Sequence, residues 1–291
     1  MSAGGWSLKT LPIMNEEQFL LWQELLESRT GIFVTEQRKS FLQSSLTQRM
    51  RELSYDDYQA YYDFVVKAPL GKIEWARLID RITVQETRFF RDPAAFEYIA
   101  EMISKNHQQY NRKNPLDIWS VGCSTGEEVY SLAIMAKEVL HRHGENDSFM
   151  ITGTDISVPA LNKARQGVFP KRRIEILSEH YRKNYFLQTN DDQFELLAEI
   201  KRNTCFAQVN VLQLDKTAST QRHIIYCQNL LIYFRRQRRE EILSHLVDRL
   251  VPGGLLLIGM GEMLDWHHPD LEPVKDKSIT AYIKRVNQKN N

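Results

Sequence analysis

Four short apolar runs, separated by longer segments with helical spacing, constrain the fold of this chain most strongly. The runs lie at 117–121, 149–154, 223–227 and 254–259. Strands that are buried on both faces of a sheet are almost continuously apolar, and helices between them favour parallel order. The sequence therefore predicts an α/β domain, beginning near residue 86, with a mostly parallel sheet covered on both faces.

The first 85 residues carry helical signals only. Asn15, Thr35 and Ser54 each precede a segment with amphipathic spacing, and the NEEQ that begins at Asn15 resembles a capping box. Asp92 followed by Pro93 predicts the start of a further helix. We expect residues 1–85 to form a small all-α domain.

The alternation of strands and helices is interrupted between residues 169 and 208. The segments YFLQ, QFELLAEI and TCFAQV surround the polar turn TNDD. Short strands joined by a tight polar turn are typical of hairpins. The interruption therefore predicts a small antiparallel β-subdomain inserted at 169–208.

Charge and cysteine content exclude several classes of protein. The chain has 38 Lys and Arg against 37 Asp and Glu, so no global field attracts nucleic acid or an anionic membrane. Its 3 cysteines form no CxxC pair and predict neither a disulfide framework nor a metal site. There is no run of about 18 apolar residues. We expect a cytoplasmic monomer that binds no metal and does not insert into membranes.

A glycine loop follows the first apolar run and allows two interpretations. Gly122, Ser124 and Gly126 have the G-x-S-x-G spacing of a hydrolase nucleophile elbow. In α/β-hydrolases, however, several strands and an oxyanion segment precede the elbow, whereas only helical signals precede this loop. The carboxylates of Glu127 and Glu128 would also oppose an oxyanion. The loop is therefore better explained as part of a cofactor site, and we expect Gly122 to contact the cofactor.

The loop also restricts the kind of cofactor. It lacks the G-x-G-x-x-G of dinucleotide sites and the G-x-x-x-x-G-K-[ST] of phosphate loops. S-adenosylmethionine has no phosphate; its carboxylate suits backbone N–H groups, and its amino group suits an acid such as Glu127. Asp155 ends the second apolar run, where an acid can bind ribose hydroxyls. Its alternative role is the N-cap of the next helix.

In their order and spacing, seven segments resemble the CheR-type chemoreceptor glutamate methyltransferases. They are TVQETRFFRDPAAF, IWSVGCSTGEEVYS, TDIS, LNKARQGVF, FAQVNVL, IIYCQNLLIYF and LVPGGLLLIG. The resemblance implies an N-terminal helical domain (1–85) and a Rossmann-like class I methyltransferase domain (86–291) that carries the 169–208 β-subdomain. It also implies S-adenosylmethionine as the cofactor, S-adenosylhomocysteine as the product, and glutamate methyl esters in chemosensory adaptation of flagellar motility or pilus-driven twitching.

The resemblance further implies which residues form the site. Arg91 and Tyr233 would hold the incoming glutamate, although an ion pair and a core ring are their alternative roles. No general base is required, because a glutamate with an ordinary pKa of about 4.3 is already ionised. The implied cofactor contacts are Gln85, Thr87, Arg91, Glu127, Asp155, Asn210, Val211, Gln228 and Asn229.

The chain departs from the family pattern at three places. Gln85 replaces the usual Asn, Gln228 replaces the usual Arg, and GMGEM at 259–263 replaces the usual GHSEN. A glutamine reaches one methylene further than an asparagine, and the loss of Arg removes a charge. These departures leave two alternatives open: a regulatory relative that binds cofactor or receptor without turnover, and a methyltransferase with another substrate.

Receptor methylation regions are acidic helical bundles, so the resemblance implies a basic docking surface. Arg38 and Arg49 are eleven residues apart, which places them at nearly the same angle on a helix. Simple solvation is the alternative role for both arginines. They flank an apolar stripe formed by Leu42, Leu46, Met50 and Leu53, so we expect them to form a basic docking edge beside this stripe.

Some members of the family bind a tethering pentapeptide at the receptor C-terminus through a glycine-containing loop of the β-subdomain. The corresponding turn here is QTNDDQ, which is short and contains no glycine. We therefore expect this chain to act independently of such a tether.

Overall fold

The chain divides into two compact units, Met1–Val84 and Gln85–Asn291. The structure is a computed structural model that describes residues 13–83, 86–144 and 148–286.

Over residues 13–83, the described part of the first unit, there are four α-helices. Asn15 caps the first of them with a capping box that Gln18 completes, which confirms the predicted start. Ser54 does not cap a helix; Asp57 does so by accepting from the Ala60 N–H at 2.8 Å. Thr35 precedes a short 3₁₀ turn and makes no side-chain cap. The helices are α1 (Glu16–Thr30), α2 (Lys39–Glu52), α3 (Tyr58–Lys67) and α4 (Gly71–Ile82).

Arg49 lies inside this unit, so its predicted place on an exposed docking edge is wrong. Only 6% of Arg49 is exposed, and its Nε and Nη2 donate to the Glu74 carboxylate at 2.8 and 2.5 Å. The Tyr61 hydroxyl donates to the same carboxylate at 2.7 Å. Position 49 is seven residues after Leu42 and three after Leu46, so it shares their buried helix face.

The second unit is built on a seven-stranded sheet with helices on both faces. Its helices are α5 (Pro93–Asn106), α6 (Glu127–Arg142), α7 (Val158–Gln166), α8 (Lys171–Ile174), α9 (Glu179–Tyr185), α10 (Ala198–Lys201) and α11 (Arg236–Asp248). Its strands are β1 (Leu116–Val121), β2 (Phe149–Asp155), β3 (Val168–Pro170), β4 (Phe186–Asn190), β5 (Gln193–Leu196), β6 (Thr204–Gln208), β7 (Arg222–Cys227), β8 (Leu250–Ile258), β9 (Leu271–Pro273) and β10 (Thr280–Lys284).

The strand order of the large sheet is β6-β2-β1-β7-β8-β10-β9. The first five strands are parallel, and β10 is antiparallel to β8 and β9. The predicted α/β class with a mostly parallel, Rossmann-like sheet is therefore confirmed. The chain order reverses between β1 and β7, so a crevice forms at their carboxyl ends, where such sheets bind ligands.

Successive residues of the central strands enter two separate cores. Ile118 and Ile224 pack with side chains of α5 and α6, whereas Trp119 and Ile225 pack with side chains of α11. Alternate side chains of a strand point to opposite faces, so both faces of the sheet are covered. This double burial explains why the strands are almost continuously apolar.

The small antiparallel sheet is present, but its composition differs from the prediction. Its order is β3-β5-β4, with β4 and β5 joined through Asp191 and Asp192. The predicted third segment, TCFAQV, instead forms β6, in which Thr204 pairs in parallel with Ile151 of β2. The predicted end of the subdomain at residue 208 is therefore wrong, because β6 belongs to the large sheet. As an edge strand β6 is half-exposed, so its sequence resembles that of a hairpin strand.

Candidate active site

The glycine loop connects β1 to α6 through backbone conformations that most side chains disfavour. Gly122, Ser124 and Gly126 have φ angles of 79°, 51° and 94°. A Cβ added to Gly126 would lie 2.9 Å from the Ala164 Cβ, so a side chain has no room there. The loop is a tight cradle of small residues at the carboxyl end of β1.

Asp155, at the end of β2, holds this loop. Its Oδ2 accepts from the Ser124 N–H at 2.9 Å, and its Oδ1 accepts from the Ser157 N–H at 2.8 Å. The N-cap of α7 is Ser157, so the alternative role of Asp155 as that cap is wrong. Asp155 ends a central parallel strand, where an acid can accept from ribose hydroxyls.

Ser124 lacks the surroundings of a nucleophile. Within the described part of the chain, its Oγ is buried and makes no hydrogen bond. A nucleophilic serine needs a general base within hydrogen-bond reach. The geometry therefore disfavours the hydrolase interpretation.

Glu127 begins α6 with a carboxylate that is almost fully enclosed. It is 1% exposed, and it accepts from the Thr125 Oγ1 and from the Arg173 Nη1, each at 2.6 Å. Burial raises the pKa of Glu127, while the hydroxyl and the guanidinium oppose the rise. Arg173 also donates to the Thr87 carbonyl. Arg173 carries no functional signal in the sequence, because the run Lys171–Arg173 resembles the solvated side of an ordinary helix.

Residues 86–92 form a strip that is attached to the body of the unit at several points. The Phe90 N–H donates to the Ser131 Oγ at 3.0 Å, and the Phe90 ring stacks on Tyr181 with centroids 4.8 Å apart. The Phe89 ring meets Phe169 and Phe186 edge-on, at 4.9 and 5.5 Å. Aromatic pairs therefore join the strip to the small sheet and its helices. Gln85 lies outside the described residues.

Arg91 lies at the end of this strip, close to a second acid of the loop. Its Nη1 donates to the Glu86 carbonyl at 2.8 Å. Glu128 accepts from the Ser120 Oγ at 2.7 Å, and burial raises its pKa to about 8, although Ser120 and the Arg91 charge oppose the rise. The charge of Arg91 therefore favours the ionised form of the Glu128 carboxyl group.

Gln228 connects the strip to β7. Its Nε2 donates to the Asp92 Oδ2 at 2.8 Å, and its Oε1 accepts from the Tyr226 hydroxyl at 2.9 Å. Asp92 also caps α5, with Pro93 in the first turn, as predicted. The uncharged side chain of Gln228 thus links the strip to β7. Its contact with the cofactor stays a prediction.

The segment after β7 is stabilised by two residues to which the sequence analysis gave no role. Asn229 has a φ of 58°, and the half-buried Tyr233 ends the short 3₁₀ turn that follows. Glu262 is 4% exposed and accepts from the Gly259 N–H at 3.0 Å; burial raises its pKa to about 7. Arg239 donates to the carbonyls of Phe234 and Glu262 at 2.7 and 2.8 Å. Glu262 and Arg239 together fix the backbone next to Asn229.

The fold brings most of the predicted cofactor contacts to one edge of the large sheet. Gly122, Asp155 and Asn229 lie at or just after the carboxyl ends of β1, β2 and β7. Asn210 follows β6, and its side chain caps a 3₁₀ turn that begins at Val211. Four neighbouring parallel strands end there, so residues distant in sequence form one crevice.

Between 13 and 286, apart from the omitted gaps, His, Cys, Asp and Glu form no cluster of three or more suited to a metal. Over the same residues, no helix has both the length and the apolar character needed to span a bilayer.

Comparison with known proteins decides the family. Residues 85–280 match the family model described as "CheR methyltransferase, SAM binding domain", and residues 17–83 match "CheR methyltransferase, all-alpha domain". The chain belongs to the CheR methyltransferase family. The resemblance to CheR methyltransferases is therefore confirmed. The function of the family is S-adenosylmethionine-dependent methylation in chemotaxis.

Individual CheR relatives match over most of their length. The chain is 32% identical to chemotaxis protein methyltransferase 2 of Pseudomonas aeruginosa, over 84% of this chain and 86% of the relative. It is 30% identical to the chemotaxis protein methyltransferase of Borreliella burgdorferi, over 83% and 86%. The corresponding values for Salmonella typhimurium are 29%, 82% and 81%.

The site fits the cofactor of the CheR family. The cradle at Gly122 and Gly126 leaves backbone close to any ligand that lies across the strand ends. Asp155 offers acceptors for a diol, and Glu127 offers a negative charge to an amino group. This donor and acceptor set suits S-adenosylmethionine, which carries a ribose and an amino acid but no phosphate.

Proposed function

We propose that this chain is a cytoplasmic, monomeric protein-glutamate O-methyltransferase that esterifies glutamate side chains of chemoreceptors. The observation that carries the proposal is the CheR match over 85–280, supported by the charge of Arg91, which acts on the carboxyl group of Glu128 near the start of α6. The proposed cofactor contacts are Gln85, Thr87, Arg91, Gly122, Glu127, Asp155, Asn210, Val211, Gln228 and Asn229.

The chemistry needs positioning and exclusion of water more than a base. When bound, S-adenosylmethionine supplies a methyl group on a sulfonium, and the acceptor glutamate is already ionised at neutral pH. Opposite charges disappear in the transition state, so bulk water would stabilise the separated reactants more. The strip with Phe89 and Phe90 packed on the small sheet supports a closed, water-poor crevice.

Arg91 and Tyr233 are the proposed groups that orient the acceptor carboxylate. A guanidinium can present two N–H groups in a fork, and a phenol can donate one further hydrogen bond. Arg91 is half-buried on the strip, and Tyr233 is half-buried after β7. A pair that bound the carboxylate too tightly would lower its reactivity, so both groups orient the substrate more than they bind it.

Labelled methyl transfer tests this proposal directly. The protein is incubated with S-adenosylmethionine that carries a tritiated methyl group and with receptor-containing membranes. We expect label on the receptor that alkali releases as methanol, because methyl esters of carboxylates hydrolyse in base. A matched receptor with the glutamates of its methylation helices changed to glutamine should remain unlabelled. Base-stable label, or cofactor binding without label, would contradict the proposal.

We also propose that docking to the acidic receptor helices does not need a tethering pentapeptide. In the turn between β4 and β5, backbone groups of Asp192 already form hydrogen bonds within the protein. The Asp192 N–H donates to the Asn190 Oδ1 at 3.0 Å, and the Asp192 carbonyl accepts from the Lys171 N–H at 2.7 Å. Calorimetric titration with such a pentapeptide should give no heat beyond dilution. Micromolar binding would refute independence. With Arg49 buried, Arg38 is the remaining predicted docking residue.

A further inference from the structure

Arg173, in the small-sheet region, contacts two residues of the proposed cofactor site. It lies on α8, directly after β3, yet its Nη1 is 2.6 Å from the Glu127 carboxylate, 46 positions away in sequence. The same nitrogen donates to the Thr87 carbonyl, 86 positions away. One guanidinium thus contacts the glycine-loop helix and the strip together.

The surroundings of Glu127 make this contact important for the site. The carboxylate is 1% exposed, whereas the Arg173 side chain is 30% exposed, so the pair is open on the arginine side. An enclosed carboxylate without a cationic partner would take up a proton or turn towards water. Arg173 therefore favours the ionised form of Glu127 and fixes the direction of its carboxylate at the start of α6.

We infer that Arg173 is a positioning residue for the cofactor: it orients Glu127 and fixes the strip at Thr87, so that the small-sheet region shapes the methyl-donor site. The inference rests on the proposed placement of the cofactor beside Glu127 and Thr87. Arg173 itself transfers no proton and no methyl group; it acts through the two residues that it contacts.

Calorimetric binding of S-adenosylhomocysteine tests the inference, with Arg173→Ala compared with Arg172→Ala. The neighbouring Arg172 is exposed and serves as a matched control. We expect about tenfold weaker binding for Arg173→Ala, the size of one lost charge-assisted hydrogen bond. Arg173→Lys should recover part of the loss, and Arg172→Ala should bind like the wild type. Equal affinity for Arg173→Ala and wild type would overturn the inference.

A double-mutant cycle separates positioning from a general structural role. If Arg173 acts through Glu127, then Arg173→Ala combined with Glu127→Gln should weaken binding little more than Glu127→Gln alone. Effects that multiply would overturn the proposed route. Hydrogen exchange of the protein without ligand supplies a second readout: Arg173→Ala should speed exchange of residues 86–92 only. Receptor methylation that fails while these binding results hold would refute the proposed substrate and leave this inference standing.

Discussion

Each unit of the molecule encloses an arginine–glutamate pair, and the two pairs differ in how they are completed. In the N-terminal unit, the side chains of Arg49 and Glu74 are 8% and 3% exposed, and Tyr61 donates to the same carboxylate. In the C-terminal unit, Glu127 is 1% exposed but the Arg173 side chain is 30% exposed. The first pair is almost fully enclosed, whereas the second is exposed on its arginine side.

The difference separates a structural pair from a functional one. A closed pair whose polar atoms are bonded within the fold can contribute only to stability and specificity of packing. An open pair beside a glycine loop keeps acceptor and donor capacity for a ligand. Sequence alone presents both as arginine and glutamate on helices, so exposure and the third partner decide between the two roles.

The largest expected effect comes from breaking the closed pair. Arg49→Ala leaves Glu74 buried without its cation, which should reduce the free energy of unfolding by about 3–5 kcal/mol. Urea denaturation of the full chain, followed by circular dichroism, measures the loss. The exposed neighbour Arg51 provides the control substitution, Arg51→Ala. A loss no larger than that of the control would show that the pair does not support the unit.

The next largest effect should follow from removal of Arg91 at the open edge. Arg91→Ala should lower kcat by about 100-fold, the usual cost of lost orientation at a reacting group. The Kd of S-adenosylhomocysteine should rise much less. Arg91→Lys keeps the charge but not the planar fork, so it should recover only part of the rate. A variant that lost affinity as strongly as rate would mean that Arg91 binds the cofactor instead of orienting the acceptor.

A smaller, pH-dependent effect should come from Glu128. Burial raises its folded-state pKa to about 8, above its ordinary value of 4.5. The folded protein therefore retains a proton that the unfolded chain has lost, and stability falls as pH rises between these two values. Between pH 6 and 8, the wild type should lose about 2 kcal/mol more than Glu128→Gln, which cannot ionise.

Urea denaturation of both proteins at several pH values measures this difference. Glu241→Gln on the exposed side of α11 is the control, because it should keep the slope of the wild type. Identical slopes for the wild type and Glu128→Gln would contradict a buried, protonated Glu128.

The smallest effect is expected at Ser124. Its Oγ makes no hydrogen bond among the described residues, and the loop is held through its backbone N–H. Ser124→Ala should therefore keep receptor methylation within about twofold of the wild type, as expected for a group absent from the transition state. Loss of all activity would revive the nucleophile interpretation.

The sequence was sufficient to predict the elements whose pattern is local. The four apolar runs became β1, β2, β7 and β8 because burial on both faces favours apolar residues at most positions. The capping box at Asn15 and the Asp92–Pro93 start depend only on residues within one helical turn. Such features need no knowledge of tertiary contacts.

The caps expected at Thr35 and Ser54 failed locally, but the larger errors and omissions involve contacts between distant residues. Arg49 was assigned to the surface because its charge suggested solvent, although its position on the helix wheel matched Leu42. Arg173 gains its role from a residue 46 positions away, and β6 gains its place from pairing with β2. Neither the contact of Arg173 nor the pairing of β6 can be predicted from the spacing of neighbouring residues in the sequence.

The central claim, a methyl donor lying across the strand ends with its ribose on Asp155, is tested most directly by calorimetric titration with S-adenosylhomocysteine. The account predicts one site in the wild type and affinity about 100-fold weaker in Asp155→Ala, the cost of two charge-assisted hydrogen bonds. Absence of binding in the wild type, or equal binding in both proteins, would contradict it.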